Sequence, residues 1–138
     1  MTFDDARIQR FLGTKEVIVL ATVGADSAPL ATPMWFLHDR AALTMISVDL
    51  TQKVRNLRRD PRVYVVAEAG TRGDVRGVAV RGHAQFLTDP GDRLAQATLL
   101  LDKYHPNLER LWSGRTMPAN RVIFRIAPTH VYAWGLEG

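Results

Sequence analysis

Residues 17–36 read VIVLATVGADSAPLATPMWF, and the fold follows from how this stretch divides. Val17 to Val23 is an unbroken apolar run, long enough for a strand buried in a sheet and too short to cross a bilayer as a helix. Gly24-Ala25-Asp26-Ser27-Ala28-Pro29 is a cluster of turn formers, after which apolar residues resume from Leu30 to Leu37. Two apolar runs around such a cluster form a strand pair. Pro33 lies inside the second run and has no N–H to give to a neighbouring strand, so a bulge, an edge or a local opening is expected there.

Working outward, Asp4 to Leu12 reads as a helix that starts near Asp4 or Asp5 and buries Ile8, Phe11 and Leu12. Ala42 to Val48 is a third strand, buried on both faces and expected to pair with the second. The period then changes. Leu50, Val54 and Leu57 share one helical face, with Thr51 as the cap and Asp60-Pro61 as the stop. Val63 to Ala69 and Val78 to Leu87 are expected to pair across a loop at Gly70-Thr71-Arg72-Gly73-Asp74, with Gly77 and Gly82 marking bulges or close backbone approach. Asp89-Pro90 opens a helix carrying Leu94, Ala97, Leu101 and Tyr104 on one face, and a shorter helical turn covers Asn107 to Trp112. In Arg121 to Ile126, Val122, Phe124 and Ile126 share a strand face and both arginines take the other. Ala127-Pro128 should break that strand before a last one, Thr129 to Trp134. The order describes a mainly β, α+β fold with a few peripheral helices, and residues 1–138 are expected to form a single domain.

The chain has 138 residues, no cysteine and a formal charge of +4. Without cysteine there are no disulfides, thiolate metal sites or thiol nucleophiles, in keeping with a reducing compartment. The N-terminus has acidic residues where a signal peptide needs a basic start, so a soluble, cytoplasmic protein with no membrane partner is expected. The basic residues concentrate in TQKVRNLRRDPR, residues 51–62. One localised anion site accounts for them better than a nucleic-acid interface, which would need a longer basic stripe with exposed aromatics. His38, His83, His105 and His130 show no metal-ligand spacing, and no metal is expected. Serine-hydrolase, P-loop and dinucleotide-binding signatures are absent from the sequence.

Two segments can carry chemistry. Ser47-Val48-Asp49-Leu50-Thr51-Gln52-Lys53 places a hydroxyl at a strand end and a lysine in the first helical turn, where free N–H groups and the helix dipole favour an anion. Lys53 lies beside the apolar stripe, whereas Arg55 and Arg59 face away. The same cations also suit an ordinary solvated helix paired with acids such as Asp60. Thr32-Pro33-Met34-Trp35 offers a proline-disrupted strand with polarizable side chains, a slot for a flat ring or simply core packing at an edge. Trp134 could cover a ligand or pack on a partner subunit. No catalytic side chain is identified; His38 and Tyr64 could supply a proton if they faced a pocket.

Taken in order, VIVLATVGADSAPLATPMWF, TQKVRNLRRDPRV, VAVRGHAQFL and RIAPTHVYAWG resemble the pyridoxamine-phosphate-oxidase-like split-barrel superfamily, specifically its actinobacterial F-420-dependent type. The resemblance spans nearly the whole chain. It implies an FMN-binding-type split β-barrel and a homodimer with two cofactor sites at the interface. It places Thr32, Pro33, Met34 and Trp35 beside the ring system and Ser47, Gln52 and Lys53 on the phosphate. Arg55, with Arg58 or Arg59, would face the tail, and Trp134 falls in the family's terminal strand. Oxidases of this superfamily that use FMN commonly carry arginine where this chain has Gln52 and a glutamine near Gly77, and pyridoxamine-phosphate oxidases end in an arginine-containing motif where this chain has VYAWGLEG. These departures favour coenzyme F-420 over FMN. The implied activity is hydride transfer from reduced F-420 to a small conjugated electrophile such as an enone or quinone. The alternatives are an FMN-dependent oxidoreductase on the same fold and a non-catalytic carrier of F-420 or flavin.

Overall fold

The computed structural model describes residues 1–136. The N-terminal helix α1, Ala6–Gly13, is capped by Asp5, whose carboxylate accepts from the Arg7 N–H at 2.9 Å, and it buries Ile8, Phe11 and Leu12 as the apolar spacing requires. There follow β1 (Ile18–Val23), β2 (Pro29–Met34), β3 (Leu37–His38), β4 (Leu43–Val48), α2 (Gln52–Arg59), β5 (Arg62–Thr71), β6 (Asp74–Phe86), α3 (Pro90–Lys103), α4 (Asn107–Trp112) and β7 (Arg121–Trp134). The seven strands form one sheet in the order β2-β1-β5-β6-β7-β4-β3, with every pairing antiparallel. Its two edges, β2 and β3, are consecutive in the chain and joined only by Trp35 and Phe36. The sheet therefore curls until its edges meet at a corner without completing the ladder, and the fold is a split β-barrel.

The interior is filled by residues that alternate along the strands. Ile18 and Leu20 of β1, Val63, Val65 and Ala67 of β5, Val78 and Val80 of β6 and Phe124 and Ile126 of β7 meet Leu43 and Met45 of β4 and the apolar side of α1. A second cluster lies outside the barrel, where Ala97, Leu100 and Leu101 of α3, Tyr104 at its C-cap, and Leu108 and Trp112 of α4 cover Ile123. Helix α2 is held to β1 by buried Val54 and Leu57 and by one buried polar contact, the Asn56 Nδ2–H donating to Thr22 Oγ1 at 3.0 Å.

In the extent and pairing of the strands and in α3, the fold departs from the sequence-based expectation in five places. The run Leu30 to Leu37 is two strands, because the barrel turns its corner at Trp35-Phe36; Pro33 sits in the edge strand, where a missing N–H costs no ladder bond on the open side. The third strand pairs with β3 at only two positions and with β7 along its whole length. The hairpin after β5 is tight: the strands extend to Thr71 and Asp74, with Gly73 in the left-handed region at φ +85°. Leu94 is exposed, and Leu100 takes its place on the buried face of α3.

The fifth is that Ala127-Pro128 does not end a strand. β7 runs on to Trp134 through a bulge, where the β6–β7 register shifts between Arg81 and Gly82 and Pro128 pairs with Gly82. A Cβ at Gly82 would stand 2.4 Å from the Ala127 carbonyl oxygen, so glycine is required for the two backbones to pass. Gly82→Ala is expected to destabilise the protein by about 1–3 kcal/mol in urea unfolding. Gly13→Ala, whose Cβ would meet nothing within 4 Å, should be neutral or slightly stabilising.

Candidate functional site

Strand β4 ends at Val48 and α2 begins at Gln52, so the chain must reverse within Asp49-Leu50-Thr51. It does so by placing Leu50 in the left-handed region at φ +66°, a costly conformation for a residue with a branched side chain. Two contacts hold it: the Leu50 N–H donates to Asp49 Oδ1 at 2.8 Å, and the Asp49 N–H to the Asn120 carbonyl at 2.8 Å. The first contact, and next the Arg58 guanidinium, keep the Asp49 carboxyl below its ordinary pKa. Leu50 itself is exposed, so the apolar face expected to begin there starts instead at Val54.

Thr51 occupies the N-cap of α2, but its hydroxyl makes no cap bond; it lies 3.2 Å from the Val48 carbonyl, to which it donates, and 3.4 Å from Ser47 Oγ. The first N–H groups of α2 are thus left without a side-chain cap, an arrangement suited to an anion. The cations of α2 divide sharply. Arg55 donates to Gln52 Oε1 at 2.8 Å, Arg58 pairs with Asp49 at 3.2 Å and lies 4.5 Å over the Phe86 ring, and Arg59 bonds the Val23 carbonyl. Lys53 has no such partner among the described residues, and it lines a cavity.

That cavity has a volume of about 420 Å³. Lys53, Ser47, Thr51 and Arg121 supply its polar groups, and no carboxylate among the described residues lines it. Its apolar walls come from Pro33, Met34 and Trp35 at the barrel corner and from Ile46, Leu108, Leu111 and Trp112. Ser47 is buried, and Ser47 and Val48 stand opposite Val122 and Arg121 in the β4–β7 ladder. Of the residues singled out from sequence, Pro33, Met34, Trp35, Ser47 and Lys53 therefore come together in one concave site. Thr32 does not line it, but lies next to it on β2 with Oγ1 buried and without a hydrogen-bond partner among the described residues.

Gln52 and Arg55 do not reach the cavity; they bond one another on the exposed side of α2, and Gln52 also donates to Asn56 Oδ1 at 2.8 Å. Trp134 lies elsewhere in the chain, on the outer sheet face, where its ring covers Gly77 so closely that a Cβ there would stand 2.3 Å from it. Arg121, the second cation of the cavity, escaped the sequence reading. The alternation of β7 sets it opposite the core face, but only the β4–β7 pairing places it beside Ser47 and Lys53.

Neither candidate proton donor faces the cavity. His38 is half-buried in β3, its Nδ1 3.0 Å from Gln9 Oε1, and burial first, then the Lys103 charge, lowers its pKa. Tyr64 is on the outer face of the sheet, in a separate open cleft of about 570 Å³ with Arg62, Arg81, His83 and His130.

The corner itself is held from outside the barrel. Trp35 stacks on Tyr104 of the α3 C-cap, ring centroids 4.4 Å apart and planes within 6°. The Tyr104 oxygen accepts from the Phe36 N–H at 2.8 Å and lies 2.9 Å from the Glu16 carbonyl and 3.1 Å from that of Phe36. Lys103 Nζ donates to the Phe36 carbonyl at 2.7 Å, leaving the single phenol proton free for Glu16.

The sequence-family model described as Pyridoxamine 5'-phosphate oxidase matches residues 4–135. Among solved structures, the Mycobacterium tuberculosis protein Rv2991 is similar with a TM-score of 0.81 and 28% identity, covering 95% of this chain and 84% of its own. A structure described as an F-420 reductase is similar at TM-score 0.69 and 28% identity, covering 90% and 94%. A FAD-binding protein from Mesorhizobium loti is similar at 0.70 and 25%, covering 91% and 87%. None of the curated proteins is significantly similar in sequence.

Burial pushes the Tyr104 phenol from 10.0 up to about 12. In the unfolded chain the phenol ionises near its ordinary value, so the folded state retains the proton over the window between. The stabilisation from the neutral phenol is complete below about pH 10 and is lost as pH rises toward about 12. Urea midpoints measured across that window should fall more steeply for the unmodified protein than for Tyr104→Phe.

Proposed function

The chain belongs to the Pyridoxamine 5'-phosphate oxidase family, and from that premise we propose that it is an oxidoreductase using the deazaflavin coenzyme F-420, with the cavity between α2 and the barrel corner as its coenzyme site. The observation that carries the reading is the composition of that cavity. An uncapped helix N-terminus, Lys53, Ser47 and Arg121 stand at a wall with no carboxylate among the described residues, and Pro33, Met34 and Trp35 stand beside them. Anionic phosphate and a flat aromatic ring are the two halves of a flavin-type coenzyme. Membership of the family and likeness to an F-420 reductase and a FAD-binding protein support a flavin-type group. The choice of F-420 rests on the likeness to the F-420 reductase and on Gln52 and Gly77 standing where the superfamily's FMN users commonly carry arginine and glutamine.

When bound, F-420 would supply the hydride chemistry. The chain's own residues would bind, orient and exclude water. Lys53 and the α2 N–H groups would hold the phosphate, with Ser47 donating its hydroxyl, and Arg121 would add a second positive charge. Arg55 would serve the extended acidic tail beyond the cavity. Trp35 would form one wall of the ring slot. A small conjugated electrophile, an enone or quinone, is the proposed substrate.

A homodimer is part of the same proposal. The outer sheet face carries the row Val19, Val66, Ala79 and Tyr132, with Val19 and Tyr132 among its exposed large apolar residues, and Trp134 is exposed on the same face. Joining two copies there would cover this apolar surface and present each Trp134 to the partner.

Titrating the purified protein separately with F-420 and FMN, followed by calorimetry, tests the cofactor; tight FMN binding without F-420 binding would replace F-420 by FMN. Turnover of reduced F-420 with a panel of enones and quinones separates an enzyme from a carrier. Lys53→Ala should lose about 1.5–3 kcal/mol of coenzyme binding while the protein stays folded, and Arg55→Ala should lose less, since that guanidinium is exposed and engaged with Gln52. An unchanged dissociation constant for Lys53→Ala would remove the phosphate role.

A further inference from the structure

Tyr104 lies outside the cavity, yet two of its features converge on the residue that forms the ring wall. Its ring covers one face of the Trp35 indole in a parallel stack at 4.4 Å, and its hydroxyl ties the backbone of the next residue, Phe36, to Glu16 ahead of β1. Lys103, one residue earlier on α3, binds the Phe36 carbonyl and sits 3.8 Å over the Phe36 ring. The corner is thus gripped at its main chain and at both its side chains by one helical turn.

Such a grip is more than barrel closure requires. The hydrogen bonds alone would fix the main chain, and Phe36 is already fully buried. The parallel stack adds a constraint on the Trp35 ring, which is only half-buried and lines the cavity with Lys53. An indole on a two-residue corner would otherwise exchange rotamers readily. Backed by a flat, immobile phenol ring, it offers a flat surface to a ligand without losing rotamer freedom on binding.

We propose that Tyr104 is a positioning residue: through its stack on Trp35 it holds the indole as a preformed wall for the planar part of the ligand. The proposal rests on the coenzyme-site reading above and names a residue which that reading leaves out. Trp35 and Tyr104 should then behave as one unit toward the ring, independent of the phosphate end at Lys53.

The test is a double-mutant cycle read by the dissociation constant of F-420, with FMN in parallel, on the full-length protein. Trp35→Leu and Tyr104→Leu should each weaken binding by about tenfold, and the double variant by little more than either alone. Lys53→Ala combined with Tyr104→Leu should instead multiply the two losses. Tyr104→Phe keeps the ring and loses the hydroxyl; it should bind within about twofold of the parent while melting at a lower temperature, which separates the stack from the hydrogen bonds. Multiplied losses for Trp35→Leu with Tyr104→Leu, or a loss in Tyr104→Phe as large as in Tyr104→Leu, would overturn the positioning role and leave the coenzyme site intact. Unchanged binding in both Trp35→Leu and Lys53→Ala would remove the site, and the positioning role with it. Should Tyr104→Leu fail to fold, Tyr104→Phe and Tyr104→His decide the matter: weaker binding in Tyr104→His alone supports the stack, and equal losses in both overturn it.

Discussion

The whole molecule depends on how an open sheet is brought back on itself at one corner. Seven antiparallel strands would leave β2 and β3 as bare edges, and the chain joins them through Trp35 and Phe36 without a completed ladder. The amide and carbonyl of Phe36 cannot then be satisfied by a neighbouring strand, and leaving buried backbone groups unpaired is expensive. Helix α3 supplies the missing partners from outside the barrel, the Tyr104 hydroxyl to the amide and Lys103 to the carbonyl. This accounts for a cation and a phenol at the end of a helix whose other inward residues are apolar. It also accounts for the depressed pKa of Lys103, whose ammonium is partly taken out of water to reach a carbonyl.

The candidate site follows from that closure. Once β4 lies beside β7, with β3 at its other side, the corner, the end of β4 and the start of β7 enclose a space that α4 walls off on its far side. The turn into α2 delivers Lys53 and an uncapped helix end to the same space, at the cost of a left-handed Leu50. Strain at that turn and an absent side-chain cap are both features that a purely structural helix would avoid. They make sense together where an anion supplies the missing contacts.

Much of this was legible in residue order. The helix starts at Asp5 and Asp89, the burial of alternate residues in the first half of β7 and the close backbone approach at Gly82 were all expected from the chain, whereas β1, read as a strand buried throughout, turns Val19 outward. The missed features share one origin. The split of Leu30 to Leu37, the unbroken β7 and the exposure of Leu50 depend on which strand lies next to which, and local apolar spacing is the same whether a strand continues, bends or bulges.

The same division separates the functional residues. The sequence by itself determined that a lysine would stand in the first turn of a helix after a strand, and that Pro33, Met34 and Trp35 would lie together, because both are properties of neighbours along the chain. Tertiary structure alone decided that Arg121 rather than Arg55 faces that lysine, that Trp134 lies on the outer sheet face, and that Tyr104 backs Trp35. Each of those is a meeting of segments far apart in sequence, set by the strand order of the curled, split sheet. Side-chain type and local period carry no information about that order.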